Sequence, residues 1–170
     1  MMKARLAGAT LVAALVFAGS ASAGSAADPV AEVVAHYKAV EQMFNSDAFR
    51  KDRRIMFEDF DPSEQYRLFD INQPTERRGA AARQHMYEIS GVISGKVEFL
   101  NLEVKASDTV AFASYIQHVV GKDPAGNPID LSVRTTDGLA KVNGRWLIMH
   151  EHNSLALDDA TLGAMLAKKK

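Results

Sequence analysis

The sequence predicts an α+β fold in which helices from the first half of the chain pack on one face of an antiparallel sheet formed by the second half. Apolar residues recur at helical spacing in three segments before residue 95, whereas four long β-rich runs follow it. Helices and strands segregated in this way are typical of α+β domains. Because long strands twist and curl, we expect a cone-shaped sheet, closed by the three helices, with a pocket at its wide end.

The first 23 residues are predicted to be a cleavable export signal. Lys3 and Arg5 precede an apolar run over 6–18, which is too short to span a bilayer, and Ala21-Ser22-Ala23 has the small-x-small pattern of a cleavage site. The alternative, a buried core helix, is disfavoured because the segment lacks amphipathic spacing. Cleavage after Ala23 would leave one domain, 24–170, in the periplasm or outside the cell, without a stable membrane anchor.

Composition excludes several classes of function. The 20 basic and 21 acidic residues give a net charge of −1, and removal of the signal, which holds two basic and no acidic residues, makes it −3. A chain without a basic surface is not expected to bind nucleic acid or anionic lipid. It contains no cysteine, which excludes disulfides, thiolate catalysis and anchoring as a lipoprotein.

Caps and breaks predict where the helices lie. Asp28-Pro29 starts a helix over 29–44, because the carboxylate caps free amides and the proline needs no amide hydrogen. Asn45-Ser46-Asp47 ends it and caps a second helix, which runs to about Asp61-Pro62. A third helix opens at Gly79 and is ended by Gly95.

The strands are predicted from alternation and turn residues. A first strand covers 65–71, and Asn72 to Pro74 close it. Asn143-Gly144 is a strong hairpin signal, and 123–128 is expected to be the loop of a second hairpin. A last helix is predicted over 158–167. The four long runs are Val97 to Val104, Val110 to Val120, Ile129 to Val142 and Arg145 to Asn153.

Two stretches, together with the order of elements, resemble the SnoaL-like branch of the nuclear transport factor 2 superfamily, which includes ketosteroid isomerases and polyketide cyclases. The first stretch runs from Leu68 through Asp70 to Gly79, and the second from Arg134 to Ser154. The resemblance implies a pocket for a small, largely apolar carbonyl compound, isomerase or cyclase chemistry without a cofactor, and a homodimer.

Asp70, Asp137 and His152 are the predicted catalytic residues. Asp70 lies nine residues before Gly79, a spacing that, by resemblance to ketosteroid isomerases, implies a general base. Asp137 roughly corresponds to the aspartate that binds the oxyanion there, whereas Val40 rather than Tyr37 falls nearer the tyrosine position. The alternatives are that Asp70 only caps a turn and that Asp137 is a structural hydrogen-bonding residue.

The last strand carries the densest group of candidates. Period-two alternation would put Trp146, His150 and His152 on the pocket face and Glu151 on the other. Two imidazoles there would act as proton shuttles; a metal site with His118 lacks further ligands in sequence, so no metal is expected. The predicted ligand-binding residues are Tyr37, Arg134, Trp146 and His150.

Three of these residues also have structural interpretations. The alternative for Tyr37 and Trp146 is a place in the core, on their apolar faces, and the alternative for Arg134 is an ion pair with Glu151 or Asp137 across the sheet. Three functions therefore stay open: a proton-transfer enzyme, a non-catalytic binding module with the same pocket, and a dimerisation scaffold that uses the outer face of the sheet.

Overall fold

A computed structural model describes residues 28–72, 76–91, 94–123 and 125–167, and the predicted export signal lies outside these ranges. None of the helices within them is long and apolar enough to cross a membrane. The helices are α1 (Pro29–Phe44), α2 (Asp47–Lys51), a 3₁₀ helix (Arg53–Asp59), α3 (Gly79–Ile89) and α4 (Asp159–Ala167). The strands are β1 (Arg67–Phe69), β2 (Arg77–Arg78), β3 (Ser94–Ala106), β4 (Val110–Lys122), β5 (Pro128–Val142) and β6 (Arg145–Ser154).

The first two helical segments begin where the sequence predicted, but the second one differs in its extent. The Asp28 carboxylate accepts the amide hydrogen of Val30 at 3.0 Å, which fixes the start of α1 as predicted. The predicted second helix is wrong as a single element. It is divided at Asp52, whose backbone is extended (φ −143°) and whose carboxylate caps the amide of Arg54. Because Asp52 caps a new helix, α2 ends before it and a 3₁₀ helix follows.

The sheet has the order β2-β1-β6-β5-β4-β3. Strands β3 to β6 form the predicted antiparallel meander, and the turn at Asn143-Gly144 has positive φ at both residues, as a tight hairpin requires. The short strand β1 extends this antiparallel meander and pairs in parallel with β6. That pairing brings the residue after β1, Asp70, beside the end of the last strand.

A β-bulge in β6 reverses the faces predicted for the residues that follow it. Gly138 of β5 pairs with His150, whereas Leu139 pairs with Ile148, so Met149 is an extra residue without a partner in the register. One extra residue shifts the alternation, and every side chain after it changes face. Trp146 and Glu151, predicted on opposite faces, are consequently both buried on the inner side of the sheet.

The helices cover the inner face of the sheet and form one core with it. α1 lies across β3, where the ring of Tyr37 packs edge-on against Phe99 and Tyr115, with centroids 6.0 and 5.3 Å away. Leu68 of β1 and Ala82 of α3 are fully buried in the same cluster. A cavity remains beside this core, next to α2 and the end of α3.

Candidate functional site

A cavity of about 620 Å³ lies between α2, α3 and the inner face of the sheet. Most of its wall is apolar, as is usual for a small-molecule site. The apolar lining includes Phe44, Phe49, Met86, Ile89, Val119 and Val133. The polar lining includes Arg50, Arg53, Asp70, Gln117, Glu151 and Asn153.

Asp70 reaches this cavity as part of a carboxylate–imidazole pair. Its Oδ2 lies 2.6 Å from Nε2 of His85, and both side chains are nearly inaccessible to solvent, at 4% and 11% exposure. Oδ1 accepts the backbone amide hydrogen of Ile71 at 2.8 Å. Asp70 thus makes the local turn bond that the alternative interpretation required, and its second oxygen is oriented by a titratable group.

His85 was missed in the sequence, although its position indicated it. It lies three residues after Ala82 and four before Ile89, which places it on the inward face of α3. It does not line the cavity itself, and its side chain contacts Asp70, which does. His85 is therefore a positioning residue for the carboxylate.

Glu151 is the second carboxyl group of the cavity, and it was also missed. It is 4% exposed, lines the cavity, and accepts a hydrogen bond of 2.6 Å from the side-chain amide of Asn153. Burial, with the neighbouring charges of Asp137 and Asp70, raises the pKa of Glu151 to about 8. A glutamic acid that keeps its proton at neutral pH can donate a hydrogen bond into an apolar cavity.

Asp137 lies behind the cavity wall, at the centre of a buried polar cluster. It is completely inaccessible, and its Oδ2 accepts hydrogen bonds from the hydroxyls of Tyr37 at 2.6 Å and Tyr115 at 3.0 Å. Burial raises its pKa to about 7, although both tyrosine hydrogen bonds act to lower it. The hydroxyl of Tyr66 lies next to Glu151, at a geometry short of a regular hydrogen bond.

The structure thus joins Tyr37 and Asp137 to each other and not to the cavity. Tyr37 is 1% exposed, and neither residue belongs to the cavity wall. Because both tyrosine hydroxyls donate to the Asp137 carboxylate, they are not directed at a ligand oxygen. The structural interpretations of Asp137 and Tyr37 describe their contacts better than the catalytic and ligand-binding ones do.

The two histidines of β6 and Arg134 point away from the cavity. After the bulge, His150 and His152 lie on the outer face, where their rings approach Phe69 at centroid distances of 5.4 and 5.9 Å. Arg134 is exposed on β5 and donates to the backbone oxygen of Leu155 at 2.8 Å, not to either acid proposed as its partner. The prediction that these three side chains face the pocket is wrong, because buried neighbours take the inner positions of both strands.

Trp146 is a core residue. It is 6% exposed, lies outside the cavity wall, and its indole nitrogen donates to Glu32 of α1 at 3.0 Å. This is the core position that the structural interpretation of Trp146 predicted, so its ligand-binding prediction has no support in the geometry.

The third histidine considered for a metal site is paired separately. His118 lies 2.9 Å from Asp130 on the outer face of β4 and β5. Among the residues that the structure describes, no three side chains of metal-ligating type come together.

Because two carboxyl groups are buried, we expect the free energy of unfolding to fall as the pH rises above neutral. Asp137 and Glu151 keep protons in the folded chain at pH values where the unfolded chain, with ordinary carboxyl pKa values near 4, has lost them. Their stabilising effect is complete below about pH 4 and is lost as the pH rises through about 7 to 8. We expect the free energy of unfolding, measured in urea, to fall by a few kcal/mol between pH 6.5 and 8.5.

A double variant, Asp137→Asn with Glu151→Gln, is the control, because it cannot titrate and should show a flat profile. Burial lowers the pKa of His36 to about 4 and raises that of Asp59 to about 6, so both titrate mainly below the chosen window. A wild-type profile as flat as that of the double variant would contradict the assignment of protons to this pair.

The SnoaL-like domain profile matches residues 36–158, nearly three quarters of the chain. The chain belongs to the SnoaL-like domain family. The resemblance to SnoaL-like proteins found in the sequence is thereby confirmed, and the structure confirms the α+β fold class. No match to this SnoaL-like chain was found among curated proteins.

Solved structures similar to this SnoaL-like protein share its fold at low identity. A nuclear transport factor 2-like protein of unknown function from Pseudomonas putida has a TM-score of 0.60 at 19% identity, over 79% of this chain and 94% of its own. An uncharacterised protein with a cystatin-like fold from Caulobacter vibrioides has a TM-score of 0.57 at 18% identity, over 81% and 96%. The association domain of C. elegans CaMKII has a TM-score of 0.55 at 16% identity, over 74% and 94%.

Proposed function

We propose that this SnoaL-like protein binds a small, largely apolar carbonyl compound in its cavity and catalyses proton transfer at the carbon next to the carbonyl. One observation carries the proposal. Asp70, oriented by His85, and Glu151, kept neutral by burial, face the same apolar cavity from neighbouring strands. Such a reaction requires a base that contacts the carbon and an acid that contacts the carbonyl oxygen of the same molecule.

The register of the two strands gives the spacing of base and acid. Leu68 is paired with Glu151, and Asp70 follows Leu68 by two residues on the same face, which is about 7 Å along the strand. A carbonyl group and its neighbouring carbon fit within that span. The Asp70 carboxylate takes a proton from this carbon while Glu151 donates its proton to the oxygen, which gives an enol. Return of both protons, with Asp70 delivering to the same or another carbon, completes an exchange or an isomerisation.

The proposal is tested by following hydrogen exchange in D₂O. Proton NMR of a panel of apolar cyclic ketones, incubated with the mature protein, should show loss of the signals next to the carbonyl faster than in buffer. Absence of exchange for every ketone that binds would contradict the enzyme proposal. It would favour the second candidate, a non-catalytic binding module, which the apolar cavity supports equally well.

A homodimer is proposed from the outer face of the sheet. Leu100, Phe112 and Val120 are large apolar side chains on that face and are 43%, 51% and 42% exposed. The similar C. elegans structure is itself an association domain. Sedimentation equilibrium at micromolar concentration should give twice the monomer mass; a strict monomer would contradict this proposal.

Export is proposed from the basic and apolar start of the sequence. Sequencing the N-terminus of the protein recovered from its source should give Gly24 as the first residue. Recovery with Met1 as the first residue would contradict export by a cleaved signal.

A further inference from the structure

Arg50 and Arg53 both line the cavity, and the edge that they form is here called its mouth. Arg53 is the first residue of the 3₁₀ helix and lies against Gly91, two residues after the end of α3. Its Nη1 donates to the backbone oxygen of Tyr87 at 2.9 Å, and its guanidinium carbon lies 4.4 Å from the centroid of the Tyr87 ring. The guanidinium is therefore held in place from two directions, by a hydrogen bond and by a cation–π contact.

Arg53 keeps most of its binding capacity. A guanidinium has five N–H donors, and the bond to Tyr87 is the one hydrogen bond that the Arg53 side chain makes with the described residues. Within those residues no carboxylate pairs with it. Arg50, which also lines the cavity, differs, because it pairs with Asp47 at 3.0 Å and is 57% exposed. One charge at the mouth is thus uncompensated and already positioned.

Gly91 makes room for this arrangement. A Cβ added at Gly91 would lie 1.4 Å from Nη1 and 2.3 Å from the guanidinium carbon of Arg53. Those atoms are the end of a flexible side chain, so an alanine there would displace the guanidinium rather than the backbone. Glycine at this position lets the cation lie against the chain at the edge of the cavity.

The charged side chains of the cavity are arranged with the two arginines at its mouth and the two carboxyl groups in its interior. Arg53 is half-buried and Arg50 is 57% exposed, whereas the side chains of Asp70 and Glu151 are almost fully buried. An anionic group on a ligand is repelled by the Asp70 carboxylate and attracted to the guanidinium. A ligand with an anionic end would therefore enter with its opposite end toward the two carboxyl groups.

We infer that the substrate is an apolar carbonyl compound that also carries a carboxylate, and that Arg53 binds this carboxylate at the mouth of the cavity. A planar guanidinium matches a carboxylate in charge and geometry, and a single uncompensated cation suits a single negative charge. The inference rests on the proposed function for the carbonyl part, and on Arg53, Tyr87 and Gly91 for the carboxylate part.

The test compares two probes of the same shape, 2-naphthoate and the neutral 2-naphthamide, by isothermal titration at pH 7.5. Wild type should bind the carboxylate about tenfold more tightly than the amide, as one charge-assisted hydrogen-bonding contact supplies. In Arg53→Met that ratio should fall to about one, while the affinity for the amide stays within about twofold. Gly91→Ala, which keeps the arginine but moves it, should also reduce the ratio.

Arg54→Met is the matched control, because Arg54 is exposed and paired with Asp52 outside the cavity; its ratio should equal that of wild type. A wild-type ratio near one, absence of binding by both probes, or a ratio that survives in Arg53→Met would overturn the inference. The ratio is measured without turnover. A failure of ketone hydrogen exchange would therefore contradict the proposed reaction and leave the carboxylate site standing.

Discussion

Replacing Asp70 by Asn is expected to slow hydrogen exchange of a bound ketone by about 10²- to 10⁴-fold, the usual contribution of a positioned general base. The amide has nearly the same shape as the carboxylate, so the cavity keeps its volume and the affinity for the ketone should change by less than about threefold. The measurement is the exchange rate at saturating ketone, with the dissociation constant determined on the same samples. A rate within threefold of wild type would remove Asp70 from the mechanism.

Two further variants separate chemistry from structure. Asp61→Asn changes another buried aspartate, which hydrogen-bonds Ser63 and lies outside the cavity wall, and it should keep the wild-type rate. His85→Leu should slow exchange without weakening binding, because it removes the group that orients Asp70. His85→Gln should recover part of the rate, since its amide can still donate to the carboxylate. Equal rates for the two His85 variants would reduce His85 to a packing residue.

Replacing Asp137 by Ala is expected to lower the free energy of unfolding by about 3 to 5 kcal/mol. The hydroxyls of Tyr37 and Tyr115 lose their acceptor in a site without solvent access, and each buried donor left unpaired costs about 1 to 3 kcal/mol. The space left by the carboxyl group adds to this. For a domain of this size, the midpoint of thermal unfolding should fall by roughly 10 °C or more.

Asp137→Asn is the matched control, because an asparagine oxygen still accepts from both tyrosines. It should retain most of the stability that Asp137→Ala loses, measured in the same urea titration at pH 6.5. If the alanine variant were within 1 kcal/mol of the asparagine variant, the hydrogen bonds to Tyr37 and Tyr115 would contribute little to the fold.

Local patterns in the sequence predicted most of the secondary structure. The cap at Asp28, the hairpin at Asn143-Gly144 and the four long strands depend on residues close in the chain, and the structure has them. The parallel pairing of β1 with β6 joins segments about 80 residues apart. No local pattern encodes such a contact, because it is determined by how the whole sheet closes around its helices.

The candidate site was predicted less well than the fold, and the bulge at Met149 is the main reason. Strict alternation placed His150 and His152 in the pocket, whereas one extra residue puts Glu151 and Asn153 there. The position of a bulge depends on which side chains the core accepts, and the alternation of residue types in β6 does not reveal it.

Asp70 was a candidate because its spacing to Gly79 resembles that of ketosteroid isomerases. Its partner His85 was not predicted, because the contact between the end of β1 and α3 is tertiary. Asp137 was recognised as a candidate, but its complete burial was not predicted. A polar residue in a polar run gives no indication that two tyrosines close over it.

A crystal structure with 2-naphthol, a stable mimic of an enol, would show whether Asp70 and Glu151 act on one molecule in the cavity. We expect the naphthol in the cavity between α2, α3 and the sheet. Its oxygen should lie within about 2.6 to 3.2 Å of the Glu151 carboxyl group, with a neighbouring ring carbon facing Asp70. Naphthol bound on the outer face of the sheet, or in the cavity with its oxygen away from Glu151 and no ring carbon near Asp70, would show that the two carboxyl groups do not act together on a ligand.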